Sequence, residues 1–432
     1  MSSKNIILLS LSGFFILADI FLLQRYASWD SDLAELLPFL GFTLAAEVAI
    51  LYSLYTFGQL INPFTIYAVF IYTAGFSFIQ LSNKQIPYEA QFIGILVLSI
   101  ICFLVGGLLA SKTYKLSFGN IFPPLSPNIS FWFLVLVLII GMGVFVMEIR
   151  QLGYLPVLQL GSAAVYDDLN ENAVTPLHNF IVLNSVLPAM FYINYKKKNI
   201  SFLLFLGLTF ISAFIILNFF SRQIIIIFFI SMLMAVSYYT KIRVGRLFAI
   251  LAGCIFIFIL LGQLRNSSDD TKSASINDFL REYNGVSKPT GLLETYLSLY
   301  GGVNFSTGQK IISRASYDDY YGYGVYAARP VITILPVNKT ELYPASYSSY
   351  IDLGTYVTDP YLDFRWAGVI LFNFLYGYLS MNSFKNYLAR KGEYYIVEWS
   401  LFIFCIFMCS FTSFFHMFFI IFFFIINRIA IK

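Results

Sequence analysis

The chain is a succession of apolar blocks, each about as long as a membrane is thick, separated by short charged stretches. Twelve blocks can be read: 5–23, 34–55, 62–82, 90–110, 129–149, 176–195, 200–218, 224–240, 247–264, 366–382, 394–411 and 416–428. A hydrocarbon core of ~30 Å is crossed by about 20 apolar residues in a helix. No water is available there to satisfy backbone N–H and C=O groups, so each block must close its own hydrogen bonds, and helix does so. Only 12% of the residues are charged against 59% hydrophobic, whereas soluble domains carry about 25% charged residues. The expected fold is an all-α polytopic integral membrane protein with about twelve transmembrane helices. The first block is read as a span, because no small-residue cleavage site follows Leu23.

Charge sets the expected orientation. Lys112/Lys115, Lys196–Lys198, Lys241/Arg243/Arg246, Lys385/Arg390/Lys391 and Arg428/Lys432 fall in alternate loops or at the C-terminal end. Such clusters stay in the cytoplasm, so both termini are expected inside and the long polar segment outside. Three parts follow: an N-terminal bundle of about nine helices (1–264), a large extracytoplasmic loop (265–365) and C-terminal helices (366–432). The basic residues flank spans and do not form a nucleic-acid face. Cys102, Cys254, Cys405 and Cys409 all lie in apolar blocks, where they act as small hydrophobes and not as a disulfide or zinc framework. No metal-ligand spacing, phosphate-binding glycine loop or nucleophile elbow occurs, so neither metal nor cofactor is expected.

The loop holds 13 of the chain's 31 tyrosines and no histidine or cysteine. Short helices are expected after Ser275-x-x-Asp278, stopping at Asn284-Gly285, over 291–300, and from the capping box Ser306-x-x-Gln309. Arginine is the first candidate chemistry. Arg222 sits at the tip of a tight hairpin, Ser221-Arg222-Gln223, and Arg265 closes the ninth block on the same expected face. A planar guanidinium binds phosphate oxygens through two bonds and never sheds its charge; the alternative for Arg222 is a headgroup anchor. Arg281, Arg314 and Arg329 add three more charges, so a di- or polyanionic lipid head is the expected ligand.

A general base in the loop must be an acid. Asp363, at the entry to block 366–382, is the favoured candidate, with Asp359 and Asp352 close behind; a helix cap is the alternative role. His416, in the polar break Ser410–His416, is the candidate catalytic imidazole, and His178 is the chain's other histidine. Tyr320, Tyr321 and Tyr323 suit a carbohydrate, since a phenol ring covers the apolar face of a sugar while its hydroxyl bonds sugar hydroxyls. Asp19, Glu47 and Glu398 lie inside apolar blocks, where charge is expensive and usually functional. They read as three scattered acids without a matching buried base.

Gly354-Thr355-Tyr356-Val357-Thr358-Asp359-Pro360-Tyr361-Leu362-Asp363-Phe364-Arg365-Trp366-Ala367-Gly368, followed by a span with Gly377, resembles the bacterial oligosaccharide repeat-unit polymerases, the O-antigen and capsule polymerases of the Wzy type. The hairpin Ser221-Arg222-Gln223 is similar to the family's arginine-containing hairpin. The chain departs from the family at Arg365, where Asp-Phe-Gly is common. The resemblance covers about twenty residues by motif and the topology loosely. It implies a GT-C-like membrane glycosyltransferase at the outer face of the bacterial cytoplasmic membrane. Donor and acceptor would be glycans on undecaprenyl pyrophosphate, with membrane lipid and a chain-length regulator protein as further partners. Arginines can stabilise a pyrophosphate leaving group without a metal. Two other readings stand beside it, an O-antigen-ligase-like transferase and a lipid-linked oligosaccharide flippase. The second would be expected to show internal repeats and midplane charges.

Overall fold

A computed structural model describes residues 3–26, 33–79, 88–112, 125–159, 177–219, 221–240, 253, 302–335, 342 and 354–431. Regular structure among the described residues is entirely helical. In chain order the helices are α1 (Ser3–Tyr26), α2 (Leu33–Phe57), α3 (Pro63–Ile79), α4 (Ala90–Lys112), α5 (Pro127–Leu152), α6 (His178–Val182), α7 (Leu187–Lys196), α8 (Phe202–Leu217), α9 (Arg222–Tyr239), α10 (Asn304–Tyr317), α11 (Arg329–Ile332), α12 (Thr358–Leu388), α13 (Tyr394–Phe407) and α14 (Phe418–Ala430). Among the described residues, four helical stretches are both long and apolar enough to cross a membrane: Leu36–Phe57, Ala90–Lys112, Pro127–Leu152 and Arg222–Tyr239. Shorter apolar helices cover Leu11–Gln24, Pro63–Ile79, Phe202–Leu217, Tyr394–Ser410 and Phe418–Ala430. These helices suggest a multi-pass membrane protein. The block 247–264 falls almost wholly outside the described residues, as do the expected helices at 275–284 and 291–300.

Three elements differ from expectation. Block 176–195 is not one helix: α6 gives way to a 3-10 turn, Leu183–Ser185, before α7 begins. Pro188 explains the break, because its ring lacks an N–H and crowds the carbonyl four residues earlier. Side chains bond to carbonyls around the break. Asn184 donates to Phe180 O (3.2 Å) and Ile181 O (3.0 Å), and Ser231 donates to Ser185 O (3.1 Å), as a buried helix break requires. Block 366–382 begins earlier, at Thr358, and is interrupted at Phe364 and Arg365. The capping box Ser306-x-x-Gln309 is corrected: α10 already starts at Asn304, so Ser306 lies inside the helix and is not its cap. Gln309 Oε1 accepts from the Glu89 N–H at 3.2 Å, a longer-range bond.

The chain forms two compact units, each built from three stretches: Met1–Lys115, Ala274–Phe384 and Cys405–His416, and then Leu116–Ser273, Lys385–Phe404 and Met417–Lys432. In the first, α3 is started by Asn62, whose side chain accepts from Phe64 N–H (3.0 Å) and Thr65 N–H (3.1 Å), an N-cap. Helices α4 and α12 approach until their backbones touch. A Cβ on Gly106 would meet Phe374 O at 2.1 Å, and one on Gly377 would meet Phe103 O at 2.0 Å. Small residues permit such crossings, where dispersion and not water exclusion holds helices together in lipid. Tyr67 stacks on Phe103 with centroids 3.7 Å apart and shares a 2.6 Å hydrogen bond with the Tyr356 hydroxyl, which ties the segment before α12 to the helical core.

In the second unit, Lys197 Nζ lies 3.2 Å from Glu393, Arg390 covers Tyr238 at 5.3 Å, and Arg428 covers Tyr394 at 4.0 Å. Residues of the basic clusters from separate loops therefore meet among the ends of α7, α9, α13 and α14.

Candidate functional site

The site is built on the first turns of α12. Thr358–Asp363 is helical, with Pro360 near the start where its missing N–H costs nothing. Phe364 (φ −138°, ψ 18°) and Arg365 (φ 54°, ψ −139°) then break the helix before it resumes. Asp359 and Asp363, four residues apart, share one face of the short turn. His416 comes from the loop after the 3-10 turn Met408–Ser410, held there by its neighbour Phe415, which stacks on Tyr376 with centroids 4.0 Å apart and planes 7° apart.

His416 Nε2 is 2.9 Å from Asp359 Oδ2, and its Nδ1 is 3.1 Å from Ser413 Oγ and 3.3 Å from the Tyr376 hydroxyl. Arg329 Nη1, at the start of α11, reaches the same Asp359 oxygen at 3.5 Å. Burial pushes the Asp359 carboxyl up, but the Arg329 guanidinium and the His416 hydrogen bond outweigh it and hold the group below its ordinary value. An ionised carboxylate only accepts, so Nε2 carries a proton toward Asp359, while the Ser413 and Tyr376 hydroxyls lie at Nδ1. The result is a half-buried guanidinium–carboxylate–imidazole chain backed by two hydroxyls.

Asp363 is held differently. Its Oδ1 accepts the Tyr326 N–H at 2.9 Å and its Oδ2 the Ala327 N–H at 2.6 Å, and it is 1% exposed. Burial raises its carboxyl above the ordinary value; the two backbone donors offset this in part, and the Asp359 charge adds to it. Two acids on one turn are thus pushed apart by their surroundings, an arrangement common where acid–base roles are divided.

The glycine–tyrosine loop wraps this turn. Gly322 N–H donates to Leu362 O at 2.8 Å, and a Cβ on Gly322 would lie 2.9 Å from Asp363 Oδ1. Tyr321 and Tyr323 pair with centroids 4.4 Å apart, Tyr321 meets the Phe364 ring edge-on, and Tyr323 is 81% exposed. Tyr320 instead packs against Ile311, Ala315, Tyr326 and Leu362. Beneath, Arg365 Nη2 donates to Ala315 O at 2.9 Å and lies 3.4 Å from Asp319, while its guanidinium covers Tyr361 at 5.3 Å. Tyr361 also accepts from Gln91 at 2.5 Å and shares a 2.9 Å bond with Ser316, so α4, α10 and α12 are joined through one hydroxyl.

Of the residues singled out from sequence, the structure brings together Asp359, Asp363, His416, Arg329, Tyr320, Tyr321 and Tyr323. Arg314 stands apart in an exposed pair with Asp318 at 3.6 Å, the kind of surface contact that is worth little. Arg222 opens α9 in the second unit. Arg265, Arg281 and Asp352 lie outside the described residues. Sequence reasoning missed Ser413 and Tyr376, the hydroxyls behind His416, and marked Arg365 only as a departure from the family motif. It also missed Glu148, 1% exposed in α5, whose oxygens lie 3.1 and 3.2 Å from His178 Nδ1. A lone acid in an apolar block was the available signal.

No family model matches the chain, and no curated protein or solved structure does either.

Proposed function

We propose that the chain is a membrane glycosyltransferase that polymerises lipid-pyrophosphate-linked oligosaccharide repeat units at the outer face of the bacterial cytoplasmic membrane. In this reading twelve helices cross the membrane in a GT-C-like arrangement, both termini are cytoplasmic and residues 265–365 lie outside. The meeting of Lys197, Glu393, Arg390 and Arg428 in one region of the second unit supports the alternation of loops that this topology needs. The observation that carries the function is the chain Arg329–Asp359–His416 beside an exposed tyrosine pair.

The reaction forms a bond between an acceptor hydroxyl oxygen and the donor's anomeric carbon. The anomeric carbon–oxygen bond breaks, and its electron pair leaves with the lipid pyrophosphate. The acceptor proton passes to Asp359, whose ionised form Arg329 and His416 preserve until that moment. General-base help of this kind is worth about 10²–10⁴-fold. Tyr321 and Tyr323 stack on the sugar. Asp363 positions the Tyr326–Ala327 segment, and so Arg329.

Deleting the gene tests this reading. Cells should then display glycan of one repeat unit instead of a ladder, and a plasmid copy with Asp359→Asn should fail to restore the ladder. A ladder that survives deletion sinks the proposal. Loss of even the single-unit glycan from the surface points instead to the ligase or flippase alternative.

A further inference from the structure

The acids of the apolar blocks are not scattered. Asp19 of α1 and Glu47 of α2 lie within hydrogen-bonding reach of each other, and the Tyr72 hydroxyl of α3 donates to Asp19 Oδ1. Glu47 stands in the middle of the apolar stretch Leu36–Phe57 and is 9% exposed. Its Oε1 is buried with no hydrogen-bond partner among the described residues. The titratable groups acting here are Asp19, Glu47 and Tyr72, one from each helix of the trio. Among the described residues, no lysine, arginine or histidine acts on Glu47 or Tyr72.

Ionised carboxylates only accept hydrogen bonds, so two of them cannot bond each other. Side by side in an apolar bundle they also repel, and one must neutralise. We propose that Asp19 and Glu47 form a proton-binding site, with one proton carried on Glu47 and donated to Asp19. The assignment of sides follows from the contacts. Asp19 already accepts the Tyr72 hydroxyl and so suits the anion. Glu47 leaves one oxygen bare, which is far cheaper for the carbonyl of a neutral acid than for a carboxylate. Removal of the proton leaves two adjacent anions that only separation of α1 from α2 and α3, or entry of water, can relieve. The site therefore links proton occupancy to the packing of these three helices, independently of any glycan chemistry.

Carbodiimide labelling tests the proposal. Dicyclohexylcarbodiimide adds to protonated carboxyls in apolar surroundings, and peptide mass mapping of the full chain in detergent locates the adduct. Glu47 should be modified at neutral pH in the folded protein, and the adduct should vanish in Glu47→Gln. Asp19→Asn removes the like charge and should move the labelling midpoint down by about one pH unit or more. The proposal is overturned by an unmodified Glu47 at neutral pH in folded protein, or by a midpoint unmoved in Asp19→Asn. Protection by sodium chloride but not choline chloride also overturns it, since a metal cation and not a proton would then fill the site.

Discussion

Asp359 and Asp363 share a helical turn, yet different partners give them different work. Asp359 keeps both of its polar contacts, His416 and Arg329, on one oxygen, whereas both oxygens of Asp363 are taken by backbone donors. Asp359→Asn should cut polymer extension about 10²–10⁴-fold at matched protein levels. Asp363→Asn should act through stability: an amide oxygen can accept one of the two N–H groups, and its NH₂ then opposes the other. A loss of about 1–3 kcal/mol is expected from such a mismatch, read as an earlier thermal unfolding in detergent. The pH dependence has opposite signs at the two sites. Asp359 is depressed, so its contribution is present above the ordinary value of about 3.9 and is lost as pH falls through its lower folded value. Asp363 is raised, so its burial weakens the fold once pH climbs from about 3.9 through its higher value. Stability curves should therefore lose their most acidic limb in Asp359→Asn and the limb above the ordinary value in Asp363→Asn. Arg365 offers a second test. Its φ of 54° belongs to a region where a non-glycine residue costs about 1–3 kcal/mol, offset here by bonds to Ala315 and Asp319 and by the Tyr361 ring. Arg365→Gly removes the bonds and the strain together; Arg365→Ala removes only the bonds. Alanine should melt earlier than glycine, and the reverse order would remove strain from the account.

At the scale of elements, apolar length identified where helices lie, and contacts across the fold decided how they bend. Block 176–195, read as one span, breaks before Pro188, and Asn184 and Ser231 bond to carbonyls around the break. The α4–α12 crossing depends on Gly106 and Gly377 facing opposite backbones. Gly377→Ala places a Cβ 2.0 Å from Phe103 O; neither backbone can yield cheaply, and overpacking of this kind costs about 1–3 kcal/mol. A lower unfolding temperature and poorer accumulation in the membrane are expected. Gly143→Ala in α5 is the control, because nothing lies within 4 Å of its added Cβ and alanine in a helix interior gains about 0.5–1 kcal/mol. Equal behaviour of the two variants would contradict the crossing.

For the whole molecule, the proposed topology makes a labelling pattern. Single cysteines at Ser273 and Ser348 should react with an impermeant thiol reagent in cells whose outer membrane, where present, has been opened, and one at Asn199 should not. The reverse pattern would invert the orientation and remove the site from the face where lipid-linked glycan is proposed to arrive. The two units, each assembled from three separated stretches, are an organisation that boundaries drawn along the chain do not express. Nothing in local composition records which distant stretches pack together.

The sequence by itself determined the class of fold, because backbone hydrogen bonding in an apolar setting leaves helix as the form for runs of this length. It also marked Asp359, Asp363, His416, Arg329 and the loop tyrosines, since charge, imidazole and phenol stand out against an apolar background. Tertiary structure decided their relations. His416 lies 57 residues from Asp359 in sequence and 2.9 Å from it in space. Asp19 and Glu47 read as isolated until α1 and α2 are set side by side. Hydrogen bonds and charge coupling act over a few ångströms, and which residues come that close is settled by helix packing, which a single chain's residue order does not state.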